Sequence, residues 1–400
     1  MVNPPSVPDD AAGMRWLSIC AAIASISVVG MAIGLGVPLL SVILETRGHS
    51  ATMIGANTAV AGIASIIAAP FATPLAARFG VVPVMLAAIA AGGVAFVGFY
   101  SAPFWAWFPL RAVLHFALTV LFILSEFWIS TSAPPQRRGL ILGVYATVLS
   151  LGFAFGPWLF AQVGSAGFAP FGITFALIAL AAIPVSLAWR ESPDIAASGR
   201  GGAGGGAGGG FARYIWMVPT ATAAVLVFGA VETGGFALFP VYGARIGYSE
   251  ADAALLLTAV GLGNVLLQIP LGLVSDRMRD RRTLLAICAL VGLVGSLALP
   301  YAAGDWNLSA AILFVWGGVV AGLYTVGLAH LGSKLSGRDL ASANAAFVFC
   351  YGIGMLIGPQ AIGIGMDIAG PNGFAWTLAL FFAAYLLLAG ARLFALPARR

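Results

Sequence analysis

The stretch LGFAFGPWLF, residues 151–160, places glycine and proline inside a strongly apolar run, and YGIGMLIGPQ, residues 351–360, does so again. Three residues of the first stretch recur in the second at one offset of 202 positions: Gly152, Gly156 and Pro157 correspond to Gly354, Gly358 and Pro359. A fixed offset of this size indicates that the chain contains an internal duplication.

The spacing of these glycines predicts a close contact between helices. Glycines four residues apart make a flat helix face that another backbone can approach, and such packing is a main source of helix association in lipid. Proline removes a backbone hydrogen bond and bends the helix. Each stretch is therefore predicted to be a kinked, closely packed helix that acts as a hinge. The alternative is a packing contact with no part in conformational change.

The composition predicts a membrane protein. The 400 residues are 60% hydrophobic and 8% charged, with a mean hydropathy of +1.00, whereas about a quarter of the residues in a soluble domain are charged. Twelve runs have the length that crosses a hydrocarbon core ~30 Å thick: 15–40, 52–77, 81–101, 104–131, 139–163, 168–189, 214–242, 252–275, 283–303, 306–332, 340–366 and 373–396. The fold class predicted is an all-α membrane protein with twelve transmembrane helices.

The positive charges predict the orientation of these spans. With the N terminus in the cytoplasm, sixteen of the 19 Lys and Arg lie on the cytoplasmic side, Arg47 and Arg245 lie outside, and Arg111 lies within a span. Cytoplasmic loops retain positive charge, so we expect both termini in the cytoplasm and a multi-pass chain in the cell (inner) membrane. The same bias accounts for the net charge of +5 without a nucleic-acid partner.

A glycine-rich segment divides the spans six and six. Residues 190–213, which include GRGGAGGGAGGG, have the composition of a flexible linker. We predict a first half over 1–189 and a second half over 214–400, joined by this cytoplasmic linker. Two six-helix copies are a recurring plan of secondary transporters, whose substrate site lies between the copies near the membrane midplane.

Other classes of chemistry find little support. Cys20, Cys288 and Cys350 lie far apart in apolar runs and are expected to be small buried residues, not a disulfide pair or metal ligands. The sequence lacks a phosphate-binding glycine loop, a zinc-ligand spacing and a nucleophilic serine motif. We expect no cofactor, no metal and no enzymatic activity, so any transport is driven by a gradient.

Four ionisable residues inside the runs are the sharpest candidates for function. Each costs at least ~2.5 kcal/mol at mid-bilayer and so tends to face the interior or water. Arg111 is followed one helical turn later by His115, whereas Glu126 lies about 22 Å along the same helix. Glu232 lies among small residues near the middle of the seventh run. We expect these four to bind substrate or carry protons. The alternatives are a static ion pair, an interior hydrogen bond and a structural contact.

Neutral polar residues within the runs are expected mostly to form hydrogen bonds between helices, with one or two contacting substrate. They are Asn57, Gln162, Thr233, Asn264, Gln268, Tyr324 and Gln360.

Three motifs resemble signatures of the major facilitator superfamily. GLVSDRMRDRR resembles its cytoplasmic loop signature, PLRAVLHF its fourth-span signature with an intramembrane arginine, and the fifth run its antiporter signature. The loop signature is carried by Gly272, Asp276, Arg277, Arg281 and Arg282, and the antiporter signature by Gly143, Gly152, Gly156 and Pro157. The resemblance covers essentially the whole chain and is strongest to a bacterial, drug-efflux-like branch that is mostly uncharacterised.

The resemblance implies two pseudo-symmetric six-helix halves that move by alternating access. It also implies a cytoplasmic latch that steadies the outward-facing form. In the first-half copy of the loop only Arg78 and Gly80 match, and Ala77 stands where a carboxylate is expected. Asp276 should therefore carry the latch alone.

Together these features predict a monomeric secondary transporter of a small organic molecule, coupled to protons, whose partners are the substrate, protons and the lipid bilayer. The partial antiporter signature favours export. The alternatives are a proton-coupled uptake permease, a non-transporting membrane assembly or sensor protein on the same fold, and an intramembrane enzyme.

Overall fold

The computed structural model describes residues 15–134, 137–193, 211–278, 280–335 and 337–395. All regular structure in these ranges is helical, and twelve of the helices are long and apolar enough to cross a membrane. The first six are α1 Trp16–Thr46, α2 Ala51–Phe79, α3 Val81–Ser101, α4 Trp107–Ser132, α5 Arg138–Val163 and α6 Ala169–Leu187. The second six are α7 Pro219–Arg245, α8 Glu250–Arg277, α9 Arg281–Ala298, α10 Trp306–Lys334, α11 Gly337–Ala369 and α12 Gly373–Ala395.

Short helical pieces complete the architecture. Single 3₁₀ turns precede α4 and follow α6 and α9, and α6 and α10 are each interrupted by one turn residue. A short helix, Phe211–Met217, precedes α7. We call the end of the bundle where α1 begins and α6 ends the linker end, and the end where α1 ends and α2 begins the far end.

The duplication predicted from the sequence is visible in how the helices begin and bend. Ser50 caps α2 by accepting a hydrogen bond from the Met53 N–H, and Ser249 caps α8 in the same way. A serine cap satisfies one of the free N–H groups of a first helical turn. Internal prolines recur in the same three helices of each half: Pro38, Pro70, Pro74 and Pro157 in the first, and Pro240, Pro270 and Pro359 in the second. Pro184, just after the break in α6, has no counterpart in this set.

The halves have equivalent internal packing. In the first half α1 packs on α5, α2 on α4, and α3 on α6; in the second α7 packs on α11, α8 on α10, and α9 on α12. The most enclosed helices are α1 and α7, which therefore occupy the centre of the bundle. Residues in the middle of α7 are thus surrounded by protein rather than lipid.

The two halves meet mainly through two helix pairs, α2 with α11 and α5 with α8, and α7 also packs on α1 and α2. Small residues make the close approach possible: a Cβ on Gly62 would lie 2.6 Å from the Leu356 nitrogen, and one on Gly261 would lie 2.6 Å from the Ala154 Cα. The hydrogen bonds and ion pairs found between described residues of the two halves lie at the far end. The far end is therefore the closed end of this conformation.

Twelve spans and an all-helical membrane fold were predicted from the sequence, and the structure confirms both. The expectation for Cys20 was wrong: the residue is exposed, because it lies on the outward side of α1, whereas its neighbours Ile19 and Ala21 are buried. Cys288 and Cys350 are buried. Most of the predicted linker, residues 194–210, lies outside the described residues.

Candidate functional site

Glu232 lies on the central helix α7 and lines a cavity. Its side chain is partly buried, and the Tyr351 hydroxyl on α11 donates a hydrogen bond to Oε2 at 2.6 Å. Gly229, one turn earlier on α7, brings these helices together, since a Cβ there would lie 3.0 Å from the Tyr351 ring. A local run of small residues thus places a tyrosine hydroxyl on the one carboxylate in the middle of α7.

The cavity beside Glu232 is mostly apolar. It contains about 700 Å³ of empty space, counting the part that is open to solvent. Asn264 and Ser296 are the other polar residues in its wall. Aromatic rings supply much of the remainder: Phe153, Phe228, Phe236, Phe239, Phe374 and Trp316. Phe153 belongs to α5, so the first half contributes to the wall as well.

Tyr351 links Glu232 to a second tyrosine. The Tyr324 ring of α10 contacts Tyr351 edge-on, with centroids 6.0 Å apart. Glu126 lies in the first half, on α4, where its side chain is exposed.

Arg111 and His115 form a separate group within the first half. Arg111 on α4 is 0% exposed, and its Nε donates to the Asn57 Oδ1 of α2 at 3.0 Å. The His115 Nδ1 lies 3.2 Å from the Arg111 carbonyl oxygen, so the N–H tautomer at Nδ1 donates to it. His115 is 4% exposed.

The structure does not pair Arg111 with Glu232. Among the described residues, Arg111 has no carboxylate within ion-pair distance, and the main neighbours of α4 are α1, α2 and α3, with α1 and α2 lying between α4 and α7. Tyr351, the hydrogen-bond partner of Glu232, was absent from the sequence-based candidates. It begins the second quoted stretch, where an aromatic residue in an apolar run resembles a packing residue.

The repeated glycines make close contacts within each half. A Cβ on Gly156 would lie 2.6 Å from the Gly34 carbonyl carbon of α1, and one on Gly152 would lie 2.7 Å from the Gly30 Cα. In the second half Gly354 and Gly358 contact the α7 backbone near Ala230. Gly143, by contrast, has open space around its Cβ position.

A charged network joins the halves at the far end. Arg245, the last residue of α7, forms an ion pair with Glu45 of α1 at 2.9 Å and lies 3.7 Å from an oxygen of Asp367 on α11. The Asp367 carboxylate accepts hydrogen bonds from the backbone N–H groups of Ala51 and Thr52 at the start of α2. A carboxylate at a helix N-terminus is favoured by the free N–H groups and the helix dipole. We call Glu45, Arg245 and Asp367 the far-end network.

The predicted latch residues lie at the linker end: Gly272, Asp276 and Arg277 near the end of α8, Arg281 and Arg282 at the start of α9, and Arg78 at the end of α2. Arg281 donates to the Ser275 hydroxyl at 3.2 Å and lies 3.6 Å from the Asp276 carboxylate, whose side chain is 76% exposed. Asp280 accepts from the Arg282 N–H at 3.0 Å and begins α9. Gly272 has open space around it, and the Arg78 guanidinium lies 5.1 Å from the Phe79 ring centroid.

No group of three or more His, Cys, Asp or Glu side chains suited to a metal ion occurs in the part of the chain that the structure describes. The features of the candidate site are a single carboxylate in an apolar cavity, an exposed carboxylate on α4, and a buried arginine.

Comparisons with known proteins agree with this architecture. Two equivalent six-helix halves are a recurring architecture of membrane transporters. The Major Facilitator Superfamily model matches residues 22–255 and again 220–400, so the chain belongs to that superfamily. Family and fold support a secondary transporter.

Individual relatives are similar along most of the chain. The uncharacterized MFS-type transporter YfkF of Bacillus subtilis is 26% identical over 347 residues, which cover 84% of this chain and 86% of that protein. An uncharacterized MFS-type transporter of Yersinia pestis is 26% identical over 268 residues, 64% of each chain.

Solved structures show the same fold at low identity. The nucleoside transporter NupG has a TM-score of 0.75 at 13% identity, and the match covers 96% of this chain and 100% of that one. A bacterial homologue of the human lysosomal transporter Spinster has a TM-score of 0.69 at 16% identity, covering 95% and 96%.

Proposed function

We propose that this chain is a proton-coupled antiporter that exports a small, largely apolar organic molecule from the cytoplasm. The observation that carries the proposal is the position of Glu232: a lone carboxylate on the central helix, bonded to Tyr351 in a cavity of aromatic and aliphatic side chains. Its partners in transport would be the substrate and protons.

Proton exchange at Glu232 follows from its surroundings. A carboxylate is costly in a dry, apolar cavity unless it is paired or hydrogen-bonded, and Tyr351 supplies one hydrogen bond while no described cation forms an ion pair with it. When the cavity is filled by an apolar substrate, the neutral acid is favoured; when water enters, the charged form is favoured. Alternation between these surroundings would take up and release one proton per cycle.

The remaining candidates act around this exchange. Glu126, toward the linker end of α4 in the first half, would relay a proton between Glu232 and that end. Arg111 and His115 are enclosed in the first half and would influence coupling through α4, the helix that carries both.

The direction of transport rests on charge and on the closed far end. Lys and Arg are concentrated at the linker end, which favours a cytoplasmic location for that end. In that orientation the far-end network closes the outer side, and the cavity would receive substrate from the cytoplasm. The partial antiporter signature supports export over uptake.

Transport is tested with the purified chain in liposomes that carry a pH gradient. A panel of small organic molecules, including lipophilic amines and nucleosides, is screened for flux that depends on the gradient. We expect accumulation driven by protons moving in the opposite direction. Accumulation with protons moving in the same direction would identify an uptake permease, and the absence of flux for every compound would favour a non-transporting role.

Coupling is tested with Glu232→Gln, which keeps the shape of the side chain and removes its titration. We expect proton-driven accumulation to be lost while exchange of substrate alone partly survives. The control is Asp305→Asn, which changes a carboxylate that caps α10 at the far end and retains a capping oxygen. If Glu232→Gln concentrates substrate with the pH dependence of the wild type, Glu232 is not the coupling residue.

A further inference from the structure

We propose that Asn57 and Arg111 form a buried binding site for a small monovalent anion, either a halide or the carboxylate group of an organic molecule. The site lies in the first half, between α2 and α4, apart from the cavity at Glu232. It is independent of the direction and coupling of transport.

The side-chain groups of Asn57 and Arg111 that have no hydrogen-bond partner are all donors. Arg111 uses its Nε–H on the Asn57 Oδ1. Its Nη1 and Nη2, together with the Asn57 Nδ2, are buried and have no hydrogen-bond partner. Both residues are 0% exposed. Buried donors are nearly always satisfied in native proteins, and a cluster of donors with no free acceptor is suited to an anion.

The charge of Arg111 is also uncompensated within its half. The described residues of the first half contain three acids: Glu45, Glu126 and Glu191. Glu45 is paired with Arg245, Glu191 accepts hydrogen bonds from Ser18 at the linker end, and Glu126 lies about 22 Å from Arg111 along α4. A buried charge without a partner is strongly unfavourable. A bound anion would supply the negative charge that the residues around Arg111 lack.

Aromatic contacts offset only part of this charge and mark the region as electropositive. The Arg111 Cζ lies 5.8 Å from the Phe99 centroid, and Trp107 contacts Phe99 edge-on at 5.0 Å. The exposed Arg47 lies over the Trp107 ring, with its Cζ 5.0 Å from the ring centroid. Two guanidinium groups therefore flank the pair formed by Phe99 and Trp107. Their positive charges attract anions toward the site from the far end.

The size and charge of the ligand follow from the same contacts. Because the Arg111 guanidinium faces no acid, one negative charge on the ligand would balance it. Because Asn57 and Arg111 are completely buried, the ligand group between them must be small. A water molecule could accept some of the hydrogen bonds but would leave the positive charge unbalanced. A halide or a carboxylate group meets both requirements.

The test measures anion-dependent stability of the purified full-length chain in detergent. Thermal unfolding is followed in a bulky sulfonate salt, which is then replaced at constant ionic strength by chloride, bromide or acetate. We expect a saturable rise in the unfolding midpoint. A response to chloride and bromide identifies a resident inorganic anion, and a response to acetate alone identifies a carboxylate of an organic ligand. No response to any of the three overturns the proposal.

Asn57→Asp is the decisive variant because it places a carboxylate beside Arg111 without changing side-chain shape. We expect this variant to be stable without added anion and to lose the rise in unfolding midpoint when anion is added. Binding is measured with radioactive chloride or acetate, whichever stabilises the wild type. It should fall roughly tenfold or more, because the introduced carboxylate repels the anion. Asn264→Asp, the same change on α8, and Arg245→Gln, which removes a paired guanidinium, should keep the response. A full response in Asn57→Asp would overturn the assignment to this site.

Discussion

At the scale of single residues, the candidate site depends on a contact between α7 and α11. Tyr351 donates its hydroxyl hydrogen to Glu232 at 2.6 Å, and hydrogen bonds to charged groups contribute about 1.5–3 kcal/mol. The two residues are 119 positions apart, so neither predicts the other in the sequence. What the sequence does indicate is the depth of Glu232, because a carboxylate in the middle of an apolar run is rare.

Removal of this hydroxyl should impair transport. We expect Tyr351→Phe to lower the initial rate of proton-driven flux by about tenfold, since Glu232 loses its hydrogen-bond donor while the ring still fills its space. The rate is measured in liposomes with the compound identified by the panel. Tyr385→Phe, which removes a buried hydroxyl at 3.4 Å from the Thr220 carbonyl oxygen, is the matched control. Equal rates in the two variants would show that the contact has no part in coupling.

At the scale of helices, the repeated glycines determine how closely α5 and α11 approach their partners. The backbone of α5 lies so near α1 that the space for a Cβ at Gly156 is already occupied by Gly34 and Leu35. The sequence-based interpretation of a flat helix face agrees with this geometry. The partner was not predictable, because the sequence does not indicate which of the glycine-containing helices α5 faces; the structure shows that it is α1, through Gly30 and Gly34.

A single methyl group at this contact should destabilise the first half. We expect Gly156→Ala to lower the free energy of unfolding by about 1–3 kcal/mol, the usual cost of overpacking, because a Cβ would lie 2.6 Å from the Leu35 nitrogen. The measurement is the thermal unfolding midpoint in detergent. Gly143→Ala, on the same helix but in open space, should match the wild type. Equal midpoints for Gly156→Ala and Gly143→Ala would show that α5 lies farther from α1 than the structure places it.

At the scale of the whole molecule, the two halves are held together at one end. Arg245 contacts acids of both halves, Glu45 and Asp367, and Asp367 also binds the first turn of α2. The latch residues at the linker end make no such contact between described residues of the two halves, and Asp276 is largely exposed. The far-end network and the latch would therefore favour opposite conformations.

Removal of the shared cation should shift the conformational equilibrium. Partly exposed ion pairs contribute about 0–1 kcal/mol each, so we expect Arg245→Gln to increase the population open at the far end by up to roughly thirtyfold for two pairs. The readout is labelling of single cysteines introduced at the two ends, in a background without the three native cysteines. Arg47→Gln, which removes an exposed arginine at the same end, should label as the wild type does. Unchanged labelling in Arg245→Gln would show that the far-end network has no part in gating.

The sequence by itself determined the features that depend on local composition and periodicity. Apolar runs of sufficient length predicted twelve spans, and the 202-residue offset predicted two copies. The depth of Arg111 and Glu232 within their runs marked them as candidates. Each of these depends only on neighbouring residues and on the thickness of a bilayer.

Only the tertiary structure decided which polar groups meet. Arg111 faces Asn57 and not Glu232, because α1 and α2 lie between α4 and α7. Glu232 meets Tyr351, and Arg245 joins acids that lie 200 residues before it and 122 after it. Such contacts depend on which helix faces pack together, and in a chain of nearly uniform apolar helices that choice is made by the backbone approach of small residues across the whole bundle.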